Sequence, residues 1–168
     1  MPATYFIETM GCQMNVHDSE RIAGLLERAG YRPAPDAEAA DLIVLNTCSV
    51  REKAEDKLFS RLGELRAGLT TAGGRQVVAV AGCVAQQEGS ALLSRAPHVG
   101  VVVGTRAQRR LVELVGAVRD GDGPRVDIEP HDEVSFPLGV ARRDSSAFLY
   151  VWRILNLHLW LTRFEVSL

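Results

Sequence analysis

The chain has only three cysteines in 168 residues, and no two of them form a Cys-x-x-Cys pair. An odd count argues against a disulfide framework, and the missing local pair weighs against the usual structural zinc pattern. No uninterrupted apolar stretch is long enough to span a bilayer. Met1 leads straight into Thr4-Tyr5-Phe6-Ile7-Glu8, without the regions of a signal peptide. The net charge is −2, so there is no global basic field for nucleic acid. The first strand–helix loop also lacks a Gly-x-Gly-x-x-Gly run. These absences point to a cytoplasmic, monomeric chain whose thiols stay reduced, with no membrane partner. The 46% hydrophobic and 24% charged content is ordinary for one soluble domain with a sizeable core.

What is present is a pattern. Cys12, Cys48 and Cys83 lie 36 and 35 residues apart, each after an apolar run and before a helical pattern. Apolar runs at Thr4–Glu8, Leu42–Asn46, Val77–Gly82 and Val99–Val103 read as strands, the last three as strands covered on both faces. Ile22, Leu25, Leu26 and Ala29 recur at helical spacing, with Gly30 placed to stop that helix and Asp18 and Glu20 near its start. Ser49-Val50-Arg51-Glu52 reads as a capping box opening a helix with Ala54, Leu58, Leu62, Leu65 and Leu69 on one face. Thr105-Arg106-Ala107-Gln108 reads as a second, before Leu111, Leu114, Val115 and Val118. A shorter helix is expected from Gln86 to Arg95.

Alternating strands and helices predict an α/β fold with a mainly parallel sheet of four to five strands. The domain is expected over residues 1–118. Residues 119–146, rich in Gly, Pro, Asp and Arg, read as a linker containing an edge strand at Arg125–Glu129. Residues 147–168 hold both tryptophans and many leucines and read as a hydrophobic tail foreign to the rest.

In a parallel α/β sheet, ligands bind beyond the carboxyl ends of the strands. All three cysteines are expected on that rim, near helix N-termini that favour thiolates. Gly11 and Gly82, each just before a cysteine, would let backbone approach an inorganic centre closely. Zinc fits less naturally than an iron–sulfur cluster. Three thiolates on a four-iron cluster would leave one iron open. The plainer alternative is three small buried hydrophobes. Gln13, Asn15, Asn46 and Thr47 could donate hydrogen bonds to cluster sulfurs. They could equally form turns and caps, with Asn15 as an N-cap. His17 reads as a solvated first-turn residue, and His98, His131 and His158 show no ligand spacing. Arg106, Arg109 and Arg110 could meet RNA phosphate, but a solvated face is the plainer reading.

Three motifs carry a resemblance. Glu8-Thr9-Met10-Gly11-Cys12-Gln13-Met14-Asn15 with Asp18-Ser19-Glu20, then Asn46-Thr47-Cys48-Ser49-Val50-Arg51-Glu52-Lys53-Ala54, then Gly82-Cys83-Val84-Ala85-Gln86 together resemble the N-terminal signatures of the methylthiotransferases. The resemblance covers roughly residues 4–147 and is strongest to the branch acting on isopentenyladenosine in tRNA. It implies a flavodoxin-like three-layer domain whose Cys12, Cys48 and Cys83 bind an auxiliary 4Fe-4S cluster that carries or donates sulfur. It also implies, in a full-length family enzyme, S-adenosylmethionine, a second 4Fe-4S cluster in a radical-SAM barrel, and tRNA as partner. The implied activity is a transferase reaction that methylthiolates isopentenyladenosine 37 at C2; the resemblance assigns no catalytic residue.

The chain departs from that pattern after Phe148. The radical-SAM cysteine motif is expected there, but no further cysteine follows. Residues 119–146 then read as a linker toward a missing radical-SAM domain, and 147–168 as an aberrant tail. On that reading the chain alone does not cleave S-adenosylmethionine. Two other readings stand beside it: a non-enzymatic remnant or interaction module without a cluster, and a flavin or nucleotide binder, which the fold alone would permit.

Overall fold

The computed structural model describes residues 2–11, 13–49, 53–69 and 76–129. Cys12, Val50–Glu52 of the first capping box, and the tail at 147–168 lie outside the described residues, as does most of the stretch read as a linker.

Strand β1 (Thr4–Met10) leads to helix α1 (Gln13–Arg28), a short strand β2 (Arg32–Pro33), and strand β3 (Leu42–Thr47). Helix α2 (Ala54–Leu69), strand β4 (Val77–Gly82), helices α3 (Cys83–Glu88) and α4 (Ala91–Arg95) and strand β5 (Val99–Val103) follow. A 3-10 turn at Gln108–Arg110 precedes helix α5 (Leu111–Arg119) and strand β6 (Arg125–Asp127). The six strands form one sheet in the order β2-β1-β3-β4-β5-β6, every neighbouring pair parallel.

Period-two alternation sorts the layers. On one face Leu42, Val44, Ala79, Ala81, Val101 and Val103 pack with Ile22 and Leu26 of α1 and Leu111, Leu114 and Val115 of α5. On the other, Ile43, Leu45, Val78, Val80 and Val102 pack with Leu58, Leu62 and Leu65 of α2, Val84 and Ala85 of α3, and Leu92 of α4. The result is the expected three-layer, flavodoxin-like α/β arrangement. Every residue of β3 and β4 is buried, which is why Leu42–Leu45 and Val77–Gly82 read as unbroken apolar runs. Each fully covered Leu or Ile contributes about 1.5–3 kcal/mol.

Several local expectations change. The sheet has six strands rather than four to five. The extra one, β2, is two residues long and contains Pro33, which lacks an N–H and is tolerated at a sheet edge. The expected edge strand is realised as β6, paired to β5 through Val101–Val103. Helix α1 starts at Gln13, so Asp18 and Glu20 lie beyond its first turn, and Asn15 is its third residue rather than an N-cap. At the far end, Tyr31 N–H donates to Leu26 O and Gly30 N–H to Glu27 O, a Schellman closure as Gly30 predicted. The helix expected from Gln86 to Arg95 starts earlier, at Cys83, and is broken at Gly89 into two. The Thr105 capping box does not form: the 3-10 turn intervenes and α5 has Arg110 at its N-cap position, with no side-chain cap bond. Gln108, which would have reached back in that box, is buried instead.

Candidate metal centre

The parallel register lines up three strand ends. Met10 of β1 pairs with Thr47 of β3, and Thr47 pairs with Gly82 of β4. The cysteines follow this row at once: Cys48 is the residue after Thr47, Cys83 the residue after Gly82, and Cys12 the second after Met10. Adjacent strands lie about 4.8 Å apart, so Cys48 and Cys83 leave the sheet side by side. The Cys48 N–H donates to Met10 O at 3.1 Å, extending the β1–β3 ladder one residue past the strand. Cys48 is buried, whereas Cys83, first residue of α3, is half-buried and a free thiol. Strand order reverses between β1 and β3, because the chain leaves β1 for β2 on one side and returns to β3 on the other. Ligands of doubly wound sheets bind at such a crevice, and Gly11 and Cys48 flank it.

Two glycines make this packing feasible, though not as expected. Gly11 has φ +141°, and a Cβ there would lie 2.5 Å from the Cys48 Cβ. Gly82 has φ +95°, and a Cβ there would collide with Thr47 O and sit 2.6 Å from Asn46 Oδ1. Their missing side chains leave room for neighbouring strands of the protein rather than for an inorganic centre.

The polar residues near the rim divide clearly. Asn46, fully buried, donates from Nδ2 to Asn15 O and to Ser19 Oγ, both at 2.9 Å, and its Oδ1 accepts from Asn15 Nδ2 at 3.4 Å. Ser19 Oγ also lies 2.7 Å from Thr9 Oγ1. This network pins the first turns of α1 to β1 and β3. Asn15 and Asn46 are therefore positioning groups. Gln13 is exposed. Thr47 is the exception: it is fully buried, and its Oγ1 has no hydrogen-bond partner among the described residues. Ser19 was missed from sequence, yet Asn15, Ser19, Ile22 and Leu26 form one helical stripe, polar at the rim and apolar beyond.

Other candidates are used elsewhere. His17 is exposed on α1, 3.3 Å from Glu20, and is not in the first turn. Arg110 is paired with Glu113 and with the buried Asp127, which raises its guanidinium pKa further; Arg106 and Arg109 are exposed. Among the described residues, no three His, Cys, Asp or Glu side chains form a group that could hold a metal. Two of the three expected thiols are described, and both stand at the same rim.

These features define a class first: a doubly wound parallel α/β domain with thiols at the carboxyl ends of neighbouring strands. The chain belongs to the family described as "Uncharacterized protein family UPF0004", whose model matches residues 4–104. It is similar, at 45% identity over 151 residues, to the tRNA-2-methylthio-N(6)-dimethylallyladenosine synthase of Erythrobacter litoralis (strain HTCC2594), a match covering 89% of this chain and 34% of that protein. Proteins of the same name from Parafrankia sp. (strain EAN1pec) and Nocardioides sp. (strain ATCC BAA-499 / JS614) are each 47% identical, covering 85% and 88% of this chain and 28% and 29% of theirs. The chain thus spans about a third of the length of these relatives. All three cysteine motifs fall within the matched family region, so the resemblance they carried is upheld. Among the described residues, no helix is long and apolar enough to cross a membrane.

Proposed function

We propose that this domain holds an auxiliary 4Fe-4S cluster on the thiolates of Cys12, Cys48 and Cys83. It would do so within a cytoplasmic transferase that methylthiolates dimethylallyladenosine of tRNA, at C2 of nucleotide 37. The observation that supports the reading is the aligned row Met10–Thr47–Gly82, with Cys48 and Cys83 directly after two of its members. The residues present suit such a group. Thiolates are the ligands that clusters take, and the residue before Cys48, Thr47, has a buried hydroxyl without a hydrogen-bond partner among the described residues. When bound, the cluster supplies the sulfur-handling centre. The protein's own part is positional: Asn46 fixes α1 against β3, Gly11 and Gly82 allow the strand ends to close together, and the buried Cys48 excludes water from one side. Substrate tRNA, S-adenosylmethionine and a second cluster belong to this reading through the relatives' names and the motif resemblance. Domain limits of 1–118, 119–146 and 147–168 belong to it as well.

The test is anaerobic reconstitution of the full chain with iron and sulfide, followed by metal counting and Mössbauer spectroscopy. About four irons and four sulfides per chain are expected. A chain that retains no iron after desalting contradicts the proposal and returns the cysteines to buried packing.

A further inference from the structure

We propose that the Thr47 hydroxyl is a positioning group that donates its hydrogen bond to a sulfur of the centre held by the neighbouring cysteines; this rests on the proposed cluster site. Four polar residues flank the first two cysteines, and the structure accounts for three of them without a cluster. Asn15 and Asn46 bond to each other, Asn46 also bonds to Ser19, and Gln13 is exposed. Thr47 alone of the four has a buried side-chain hydroxyl with no hydrogen-bond partner among the described residues.

A buried polar group without a partner is costly and calls for an explanation. The place of Thr47 supplies one. It ends β3 immediately before Cys48, and its register partner Gly82 immediately precedes Cys83. Strand alternation puts its side chain on the face of Ile43 and Leu45, where Val84 and Ala85 of α3 also pack, directly after Cys83. Thr47 thus shares a sheet face with the first turn of the helix that Cys83 opens. Sulfur ligated to iron is a good acceptor, and hydrogen bonds to cluster sulfurs help set the reduction potential. A donor there stabilises the more negatively charged reduced form.

The experiment compares Thr47→Val, which keeps the shape and removes the hydroxyl, with Thr47→Ser, which keeps the hydroxyl. Both are made in the full chain. In the metal-free protein, Thr47→Val should unfold at the same or a higher temperature, because it removes an unsatisfied group. After reconstitution, its cluster should titrate at a more negative midpoint potential or be lost faster to a chelator, while Thr47→Ser stays close to the parent. An unchanged potential and retention in Thr47→Val overturn the inference. So does a clearly less stable metal-free Thr47→Val, which would mean that the hydroxyl is already satisfied. Equal cluster loss in both variants also counts against a hydroxyl role. If the parent chain itself takes up no iron, the cluster reading fails and this inference falls with it. A parent that loads normally beside an unaltered Thr47→Val fails the inference alone.

Discussion

The two ends of the sheet are built from similar residue types and do different things. At the amino end lies a cavity of about 910 Å³ lined by residues including Thr4, Asp41, Gln76, His98 and Arg119. Most of its polar groups are engaged with the protein; His98 is the exception, with neither ring nitrogen hydrogen-bonded among the described residues. Asp41 Oδ2 accepts from the Thr4 N–H and hydroxyl. Gln76 Nε2 donates to the carbonyls of Ala37, Glu38 and Ala40, and Arg119 donates to Tyr31 Oη and Asp41 O. At the carboxyl end, the network of Asn15, Ser19 and Asn46 is closed in the same way, but two thiol-bearing residues stand at the rim beside it, with a Thr47 hydroxyl that has no partner among the described residues. The described cavity therefore lies at one end of the sheet and the described thiols at the other. A parallel sheet exposes the loops that follow its strands at one edge only, and it is there that side chains from several strands can converge.

The largest expected effect comes from the close approach at the carboxyl end. Gly82→Ala should cost about 2–4 kcal/mol, combining left-handed backbone strain with a collision against β3; urea unfolding of the metal-free chain measures it. Asn46→Ala comes next. It removes the two hydrogen bonds that Asn46 Nδ2 donates to Asn15 O and Ser19 Oγ, so about 1–3 kcal/mol should be lost. If the two ends differ as argued, Asn46→Ala should also weaken iron retention by loosening α1. At the amino end, Asp41→Asn keeps the shape and should cost about 1 kcal/mol or less by the same unfolding measurement. It should leave iron content unchanged. Loss of iron on that substitution would erase the contrast between the ends.

The smallest effect concerns pH. Burial holds the His98 imidazole below its ordinary value of 6.5; the Leu62 backbone opposes this in part, and the Arg66 cation adds a smaller push downward. Below about pH 6.5 the unfolded chain then binds more protons than the folded one, so stability falls as pH drops toward the lowered folded value. The contribution is fully present above that window. His98→Gln should flatten the difference between unfolding midpoints measured at about pH 7.5 and about pH 5.5. An unaltered pH dependence in His98→Gln would assign the acid sensitivity to other groups.

Much of this architecture is legible in the residues. Leu42–Leu45 and Val77–Gly82 are unbroken apolar runs because both faces of their strands are covered. Ala54, Leu58, Leu62 and Leu65 recur at helical spacing because one face of α2 is buried. The near-even cysteine spacing reflects the length of one strand–helix unit. Other features depend on tertiary context. β2 has no apolar pattern because it is two residues long at an edge. Gln108 follows a capping-box pattern, yet its side chain is buried with both amide atoms unpartnered among the described residues. Asn15 has the composition of a cap, but its partner is Asn46, 31 positions away. The row that aligns Met10, Thr47 and Gly82 is a matter of register, and spacing along the chain does not determine register.

Iron content across single-cysteine variants tests the central claim most directly. The full chain should load about four irons, and Cys12→Ala, Cys48→Ala and Cys83→Ala should each lose most of that iron while Asp41→Asn retains it. Full loading in Cys48→Ala or Cys83→Ala would contradict a single centre held at this rim.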